Sequence, residues 1–250
     1  LNVNIKEEEL KDVIVLAGQI LLESGADGFR IENTMNIIAH HFGYMNCNSF
    51  VTNTVINFSL HDLTYPRVQR VKKRDTNLIK ISQVNETSRQ ITNENLSVPA
   101  ALQQLYDIKT KTKNYNLVYK AVASAIVGLS FLFLQGGVWQ DVLTAMVAAA
   151  LGFVIKEQIA DKIRNFFIPE FIASLFIALI IVSVYRFIPD SKLSVTIIAS
   201  VMPIVPGVLI TNSLQDLLAG NMLMALTKGL EAAVTAFAIG AGVASILYIF

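Results

Sequence analysis

The sequence holds one cysteine, three histidines and one tryptophan in 250 residues. Cys47 alone excludes an intrachain disulfide, and one thiol offers no metal cluster. His40, His41 and His61 are too few and too badly spaced for a metal site, because the adjacent pair diverges on a helix. A nucleophile elbow, a phosphate loop and a dinucleotide fingerprint are all missing. No metal or cofactor is therefore expected, and no enzyme class is indicated. Charge is scarce in one half: residues 117–250 carry 7 Lys/Arg and 7 Asp/Glu, against 13 and 12 in the shorter 1–116. The first twelve residues, LNVNIKEEELKD, are polar and acidic and lack the apolar core of a signal peptide.

Apolar length replaces that charge. The chain is 53% hydrophobic with a mean hydropathy of +0.52. Runs at 117–134, 138–155, 168–185, 193–210 and 223–250 approach or reach the roughly 17–25 residues that cross a hydrocarbon core. A soluble core helix explains one such run, whereas five in succession predict a polytopic membrane protein. We expect a soluble α+β domain over 1–116, then an all-α transmembrane bundle of about five helices over 117–250, one or more of them interrupted. Lys109, Lys111 and Lys113 before the first span, and Lys156, Lys162 and Arg164 between the second and third, outnumber Arg186 and Lys192 opposite. The positive-inside rule then puts the N-terminal domain in the cytoplasm and the chain in the plasma or inner membrane, with Phe250 near the far face. Trp139 and Tyr185 sit where interfacial anchors would.

Residues 7–23 show a helical stripe through Leu10, Val13, Ile14, Ala17, Ile20 and Leu21. SGADG (24–28) interrupts it, and a second helix resumes with Ile31, Met35, Ile38 and Phe42 on one side. Arg30 and Glu32, two apart, do not face each other and read as solvent contacts and helix-end charges. Ile56, Phe58 and Leu60 alternate with polar residues, predicting one or two strands in 49–62. Pro66 separates these from RVQRVKKR (67–74), read as a solvated strand or turn rather than a nucleic-acid or anionic-lipid site. Helices follow over 77–92, capped by Asp75 or Asn77, and over 98–108, with Pro99 in the first turn.

The most informative stretch is 201–221. Pro203 and Pro206 remove amide donors and Gly207 permits bending, so a helix here should kink or break. Transporters point such broken ends at substrates or ions. Thr211, Asn212, Ser213, Gln215 and Asp216 follow as a polar cluster, fitting either a cavity-lining segment or a proline kink with a polar loop after it. Glu231 is costly in an otherwise apolar run. It calls for an interfacial place, a partner such as Lys228 or Lys120, a proton, or a water-filled cavity, and Asp141 has a weaker version of the same claim. Gly240, Ala241, Ala244 and Ser245 form a small-residue face suited to helix packing, within this chain or against another.

Two blocks together, LLESGADGFRIENTMNIIAHHFGY (21–44) and PGVLITNSLQDLLAGNMLMALTKGLEAAVTAFAIGAGVAS (206–245), resemble the threonine/serine exporter family, in particular the larger component of its split two-protein form. The likeness extends through TNTVINFS, RVQRV and the NETSRQI portion. It implies a cytoplasmic domain with five membrane helices, a smaller five-helix partner and lipid surroundings. It also implies export of a small polar solute, serine or threonine, with protons as the coupling ion. Split forms point instead to succinate. The family pattern carries over to Gly25, Arg30 and Glu32 in the soluble part, and to Pro206, Gly207, Asn212, Asp216, Gly220 and Glu231. On it, Asn212, Asp216 and Thr211 are expected at the permeation site, Pro206 and Gly207 shape it, and Glu231 serves coupling. Few cations in the membrane half favour a zwitterion over a dianion. A non-transporting sensor or assembly subunit and a membrane-anchored enzyme are the competing readings.

Overall fold

The computed structural model describes residues 5–61, 65–112, 115–163 and 167–250. Lys113 and Arg164, counted above toward orientation, Asp62 at the end of the strand segment, and the first four residues lie outside them. The chain divides into two compact units, Leu1–Asn114 with Val208–Gly229, and Tyr115–Gly207 with Leu230–Phe250.

The first unit opens with α1 (Ile5–Glu23) and α2 (Gly28–His41). A three-stranded antiparallel sheet follows, in the order β1 (Asn48–Val51), β2 (Val55–Ser59) and β3 (Arg67–Arg70). β1 and β2 form a hairpin, with Val51 opposite Ile56, and RVQRVKKR supplies the third strand, with Val55 opposite Arg70. Period-two alternation buries Ile56 and Phe58 completely, and Leu60 just beyond. α3 (Leu78–Glu94) starts where Asn77 Oδ1 accepts the Lys80 amide at 3.0 Å, and Pro99 sits in the first turn of α4 (Val98–Lys111). Ile14, Leu21, Ile31, Met35, Phe58, Ile91 and Leu105 make one core of large apolar side chains.

The second unit holds α5 (Leu117–Leu134), α6 (Val142–Lys162) after a short 3₁₀ turn, α7 (Ile168–Tyr185) and α8 (Leu193–Val201). Four helices are long and apolar enough to cross a membrane among the described residues: α5, Trp139–Lys162, α7 and α10 (Met222–Ile249). A fifth span forms if Leu193–Ile204 and α9 (Gly207–Leu218) count together, and these are bent by 64° at the break. The proline pair thus breaks the helix. The polar cluster after it is not a loop, because Thr211 to Asp216 lie on α9. The result is a multi-pass membrane protein with an N-terminal α+β domain before an all-α bundle.

Two expectations change inside the bundle. Gly240 has open space around it and Ala244 is exposed, so the small face of 240–245 is not what packs within this chain. Gly242 is: a Cβ there would lie 2.5 Å from the Phe171 carbonyl oxygen. Asp141 is buried and accepts from the Ser191 hydroxyl and, at 2.9 Å, from the Lys192 amide, which fixes the chain entering α8. Its burial has that structural explanation.

Candidate functional site

The site grows from the loop 24–28. α1 ends as the Ala26 amide bonds the Leu21 carbonyl at 3.0 Å, with Gly25 at φ +81° in the left-handed region that glycine enters without cost. Asp27 then caps α2: its Oδ1 accepts the Arg30 amide at 2.7 Å and its Oδ2 lies 3.1 Å from Arg30 Nε. One capping motif runs straight into another. The carbonyls of Gly25 and Ala26 and the first amide of α2 are left free of intrahelical partners.

α9 and the start of α10 supply those partners. The two helices form a hairpin whose turn uses Gly220 at φ +84°, with the Asn221 amide bonding the Asp216 carbonyl at 2.8 Å. The hairpin brings Asp216 and Lys228, twelve residues apart, to 2.8 Å, with side-chain exposures of 0% and 3%. Asp216 is the single buried residue of α9, whose apolar Ile210, Leu214 and Leu218 are exposed. Its other oxygen accepts the Gly28 amide at 2.6 Å. Lys228 Nζ also donates to the Ala26 carbonyl at 3.1 Å, and Asn212 Nδ2 to that of Gly25 at 2.7 Å. Loop, acid, ammonium and amide thus close on one another as a clasp, completed by Asn53 Nδ2 donating to Thr227 Oγ1 at 2.9 Å.

Desolvating two charges costs several kcal/mol each, offset here by mutual attraction and by two bonds from the loop, the Gly28 amide to Asp216 and the Ala26 carbonyl to Lys228. Gly28 has no room for a side chain, since a Cβ would meet Met224 Sδ and lie 3.0 Å from Asp216 Oδ1. Glu32 stands one turn further along α2. Its Oε1 accepts the Val51 amide at 3.0 Å and it shares a side-chain hydrogen bond with Asn221. Burial pushes its carboxyl above the usual range, and Asp216 adds to that push against the two hydrogen bonds.

The sequence-selected residues therefore fall into three groups. Asn212, Asp216, Gly25 and Glu32 meet at the clasp, with Arg30 at its edge, half-exposed on Asp27. Glu32 is not the solvent contact its spacing suggested, because the α9–α10 turn covers it. Thr211 is exposed on α9, Pro206 lies at the break before that helix and Gly207 opens it. Glu231, one turn past Lys228, belongs to the second unit. Glu170 lies 3.8 Å from Lys156, and Lys120 pairs with Glu157 at 2.6 Å. Sequence reasoning missed Gly28, Asn221 and Met224, and treated Lys228 as a partner for Glu231 and a cation near a span end rather than as a partner for Asp216. The signal for Lys228 was present in the turn-forming Gly220 between two helical runs, which folds position 228 back onto 216. No group of three His, Cys, Asp or Glu suited to a metal ion occurs among the described residues.

Comparison with known proteins gives a consistent result. The threonine/serine exporter family model, ThrE, matches residues 12–250. A protein of Mycobacterium tuberculosis (strain ATCC 25618 / H37Rv), titled "Probable threonine/serine exporter", is 21% identical over 232 residues, which cover 90% of this chain and 43% of that relative. The chain spans less than half the length of the curated relative it matches. No solved structure matches it.

Proposed function

Because the chain belongs to the threonine/serine exporter family, a family of membrane transporters rather than enzymes, we propose that it exports serine and threonine as one component of a proton-coupled secondary transporter. In this reading the N-terminal domain is cytoplasmic, and a smaller five-helix membrane component supplies the remainder of the path. The length of the matched relative beyond the aligned part supports that division.

The observation that carries the reading is the buried Asp216–Lys228 pair. Apolar residues of similar volume would hold a structural contact at least as stably, so a retained ion pair asks for a use. An α-amino acid carries both charges. Its ammonium can replace Lys228 on Asp216 while its carboxylate takes Lys228 and the Gly28 amide, so each broken bond is exchanged for one of the same kind. Asn212 offers a further amide, and Thr211 is a hydroxyl on the same helix. A dicarboxylate fits less well: Lys228 is already balanced by Asp216, and a second anion would face that carboxylate unpaired. Pro206 precedes α9 and Gly207 opens it, at the bend that gives α9 its own direction. Glu231 is the coupling candidate, the costly carboxylate next along α10.

The test is flux in proteoliposomes holding this chain with its smaller partner, using labelled serine, threonine and succinate under an imposed proton gradient. Serine and threonine flux that needs the partner and the gradient, and that Asp216→Asn abolishes, is the expected result. Succinate flux without serine flux would reassign the solute. Absence of all three, in verified assemblies, would end the exporter reading.

A further inference from the structure

The run 67–74, RVQRVKKR, has the densest positive charge in the chain, and export leaves it unused. Arg67 is spent on α1, where it pairs with Asp12 and lies 3.8 Å from Glu8. Arg70, Lys72 and Lys73 instead line a cavity of about 520 Å³ together with Lys80. None of Arg70, Lys72 and Lys73 has an ion-pair partner among the described residues. The two acids in the wall form no ion pair with those three and leave four cations against two carboxylates. Glu23 accepts from Gln19 at 2.6 Å and lies 4.0 Å from Lys109, while Asp75 accepts the Thr76 amide at 2.8 Å. A concave space within the roughly 300–1,000 Å³ of small-ligand sites, ringed by unpaired cations, matches a multiply charged anion that accepts several charge-assisted hydrogen bonds.

The cavity is also the back of the clasp. Its wall residues Asp75 and Asn77 donate backbone amides to the Glu23 and Ser24 carbonyls at 2.9 and 3.0 Å. A Cβ on Gly25 would lie 3.6 Å from the Asp75 carbonyl oxygen and from Thr76. The next carbonyls and amide along that same loop hold Asn212, Lys228 and Asp216. We propose that this cavity is a regulatory site for a phosphate-bearing anion, whose binding steadies the 24–28 loop and thereby the clasp. The regulatory consequence rests on the clasp serving transport; the binding site does not.

The experiment uses the full chain in phosphatidylcholine nanodiscs, titrated with inorganic pyrophosphate by calorimetry and followed by hydrogen exchange at amides 24–28. Saturable binding with slower exchange is expected, weakened about tenfold or more when Arg70, Lys72 and Lys73 are all changed to alanine. A variant with Arg89, Lys111 and Lys162 changed to alanine removes equal charge elsewhere and should bind as the wild type does. Nanodiscs containing phosphatidylglycerol, without pyrophosphate, identify the source: protection of 24–28 that needs the same three cations makes a lipid headgroup the occupant. If the triple variant fails to fold, Lys73→Ala alone, at an exposed position, should weaken pyrophosphate about threefold. Equal binding by wild type and cavity variants, equal weakening in the charge control, or binding that leaves exchange at 24–28 unchanged overturns the proposal. No arm reads flux, so its outcome is separate from that of the exporter reading.

Discussion

The two units of this chain are held together by different side chains. The first buries Ile14, Leu21, Ile31, Phe58 and Leu105, and the second buries Ala145, Ala148, Ala149, Ala173 and Ala178. In the second these alanines share the core with Ile177, Ile181 and Ile197, while Leu143, Phe187 and Phe237 are exposed by 73%, 82% and 78%. Water drives large apolar groups inward, whereas lipid tails are as apolar as leucine and leave packing itself to hold helices together. Small residues allow that approach. A Cβ on Gly128 would lie 2.8 Å from the Ala149 Cβ, so α5 and α6 meet almost backbone to backbone. The buried hydroxyls of Ser174 and Thr196 bond carbonyls one turn back in the chain at 2.9 and 3.0 Å, and that of Ser200 reaches both Thr196 at 2.7 Å and Ala145 of α6 at 3.3 Å. The clasp is the exception to both patterns: a fully buried ion pair in a unit otherwise cored by hydrocarbon.

Breaking that exception should have the largest effect. Asp216→Asn leaves the Lys228 ammonium buried without its counter-charge, at a cost of about 3–5 kcal/mol. Adding Lys228→Met should recover most of that loss, because neither charge then remains. Thermal unfolding in detergent micelles measures the recovery, and serine flux measures whether function returns with it. We expect stability to return and flux not to. Restored flux in the double variant would make the pair a structural fastener only.

The same deletion in each unit sharpens the contrast next. Phe58→Ala empties a completely buried site and should destabilise the first unit by about 3–5 kcal/mol. Phe176→Ala on α7, 41% exposed, should cost well under about 1 kcal/mol, since lipid replaces the ring on its outer side. Glycine reverses the order. Gly242→Val drives a branched side chain into α7 and should cost about 1–3 kcal/mol or more, whereas Gly240→Ala enters open space and should be neutral or slightly stabilising. Hydrogen exchange of the α7 and α10 amides in nanodiscs distinguishes these outcomes. Equal effects at 240 and 242 would mean that a further helix covers Gly240.

Legibility followed the same divide. The 3.6-residue stripe of α1 and the alternation in β2 arise from one wet and one dry face, so their periods could be read directly. The proline pair at 203 and 206 marked the break because its chemistry is local. The face of α10 that packs inward was not legible: in lipid both faces are apolar, and Gly240 and Gly242 look alike until the neighbouring helix is known. The clasp was half legible. Asp216 and Asn212 drew notice as polar groups in an apolar run, but their bonds to Gly28 and Gly25 span 188 and 187 residues. No spacing rule reaches so far. Gly28 in particular reads as an ordinary loop glycine until Met224 is set against it.

The smallest expected effect compares two carboxylates of the first unit. Hydrogen bonding to Lys11 holds Glu8 below its usual range, so Glu8 contributes stability that is present above pH 4.5 and lost as pH falls through its lowered value. Glu32 has the opposite sign. Burial raises its folded value, so the folded state holds the proton more tightly than the unfolded one. Its charge then weighs against folding at high pH, and that penalty disappears as pH falls from above the raised value toward 4.5. Glu32→Gln should remove this slope, making the variant gain most relative to wild type at neutral pH and least in acid. Glu8→Gln should lose most at neutral pH, by little, because the Glu8–Lys11 pair is partly exposed. Hydrogen exchange of amides near Ile14 and Phe58, read across the acid range in micelles, gives both slopes from the same core. Parallel slopes in the two variants would mean that Glu32 is as well solvated as Glu8, and that the α9–α10 turn does not cover it in solution.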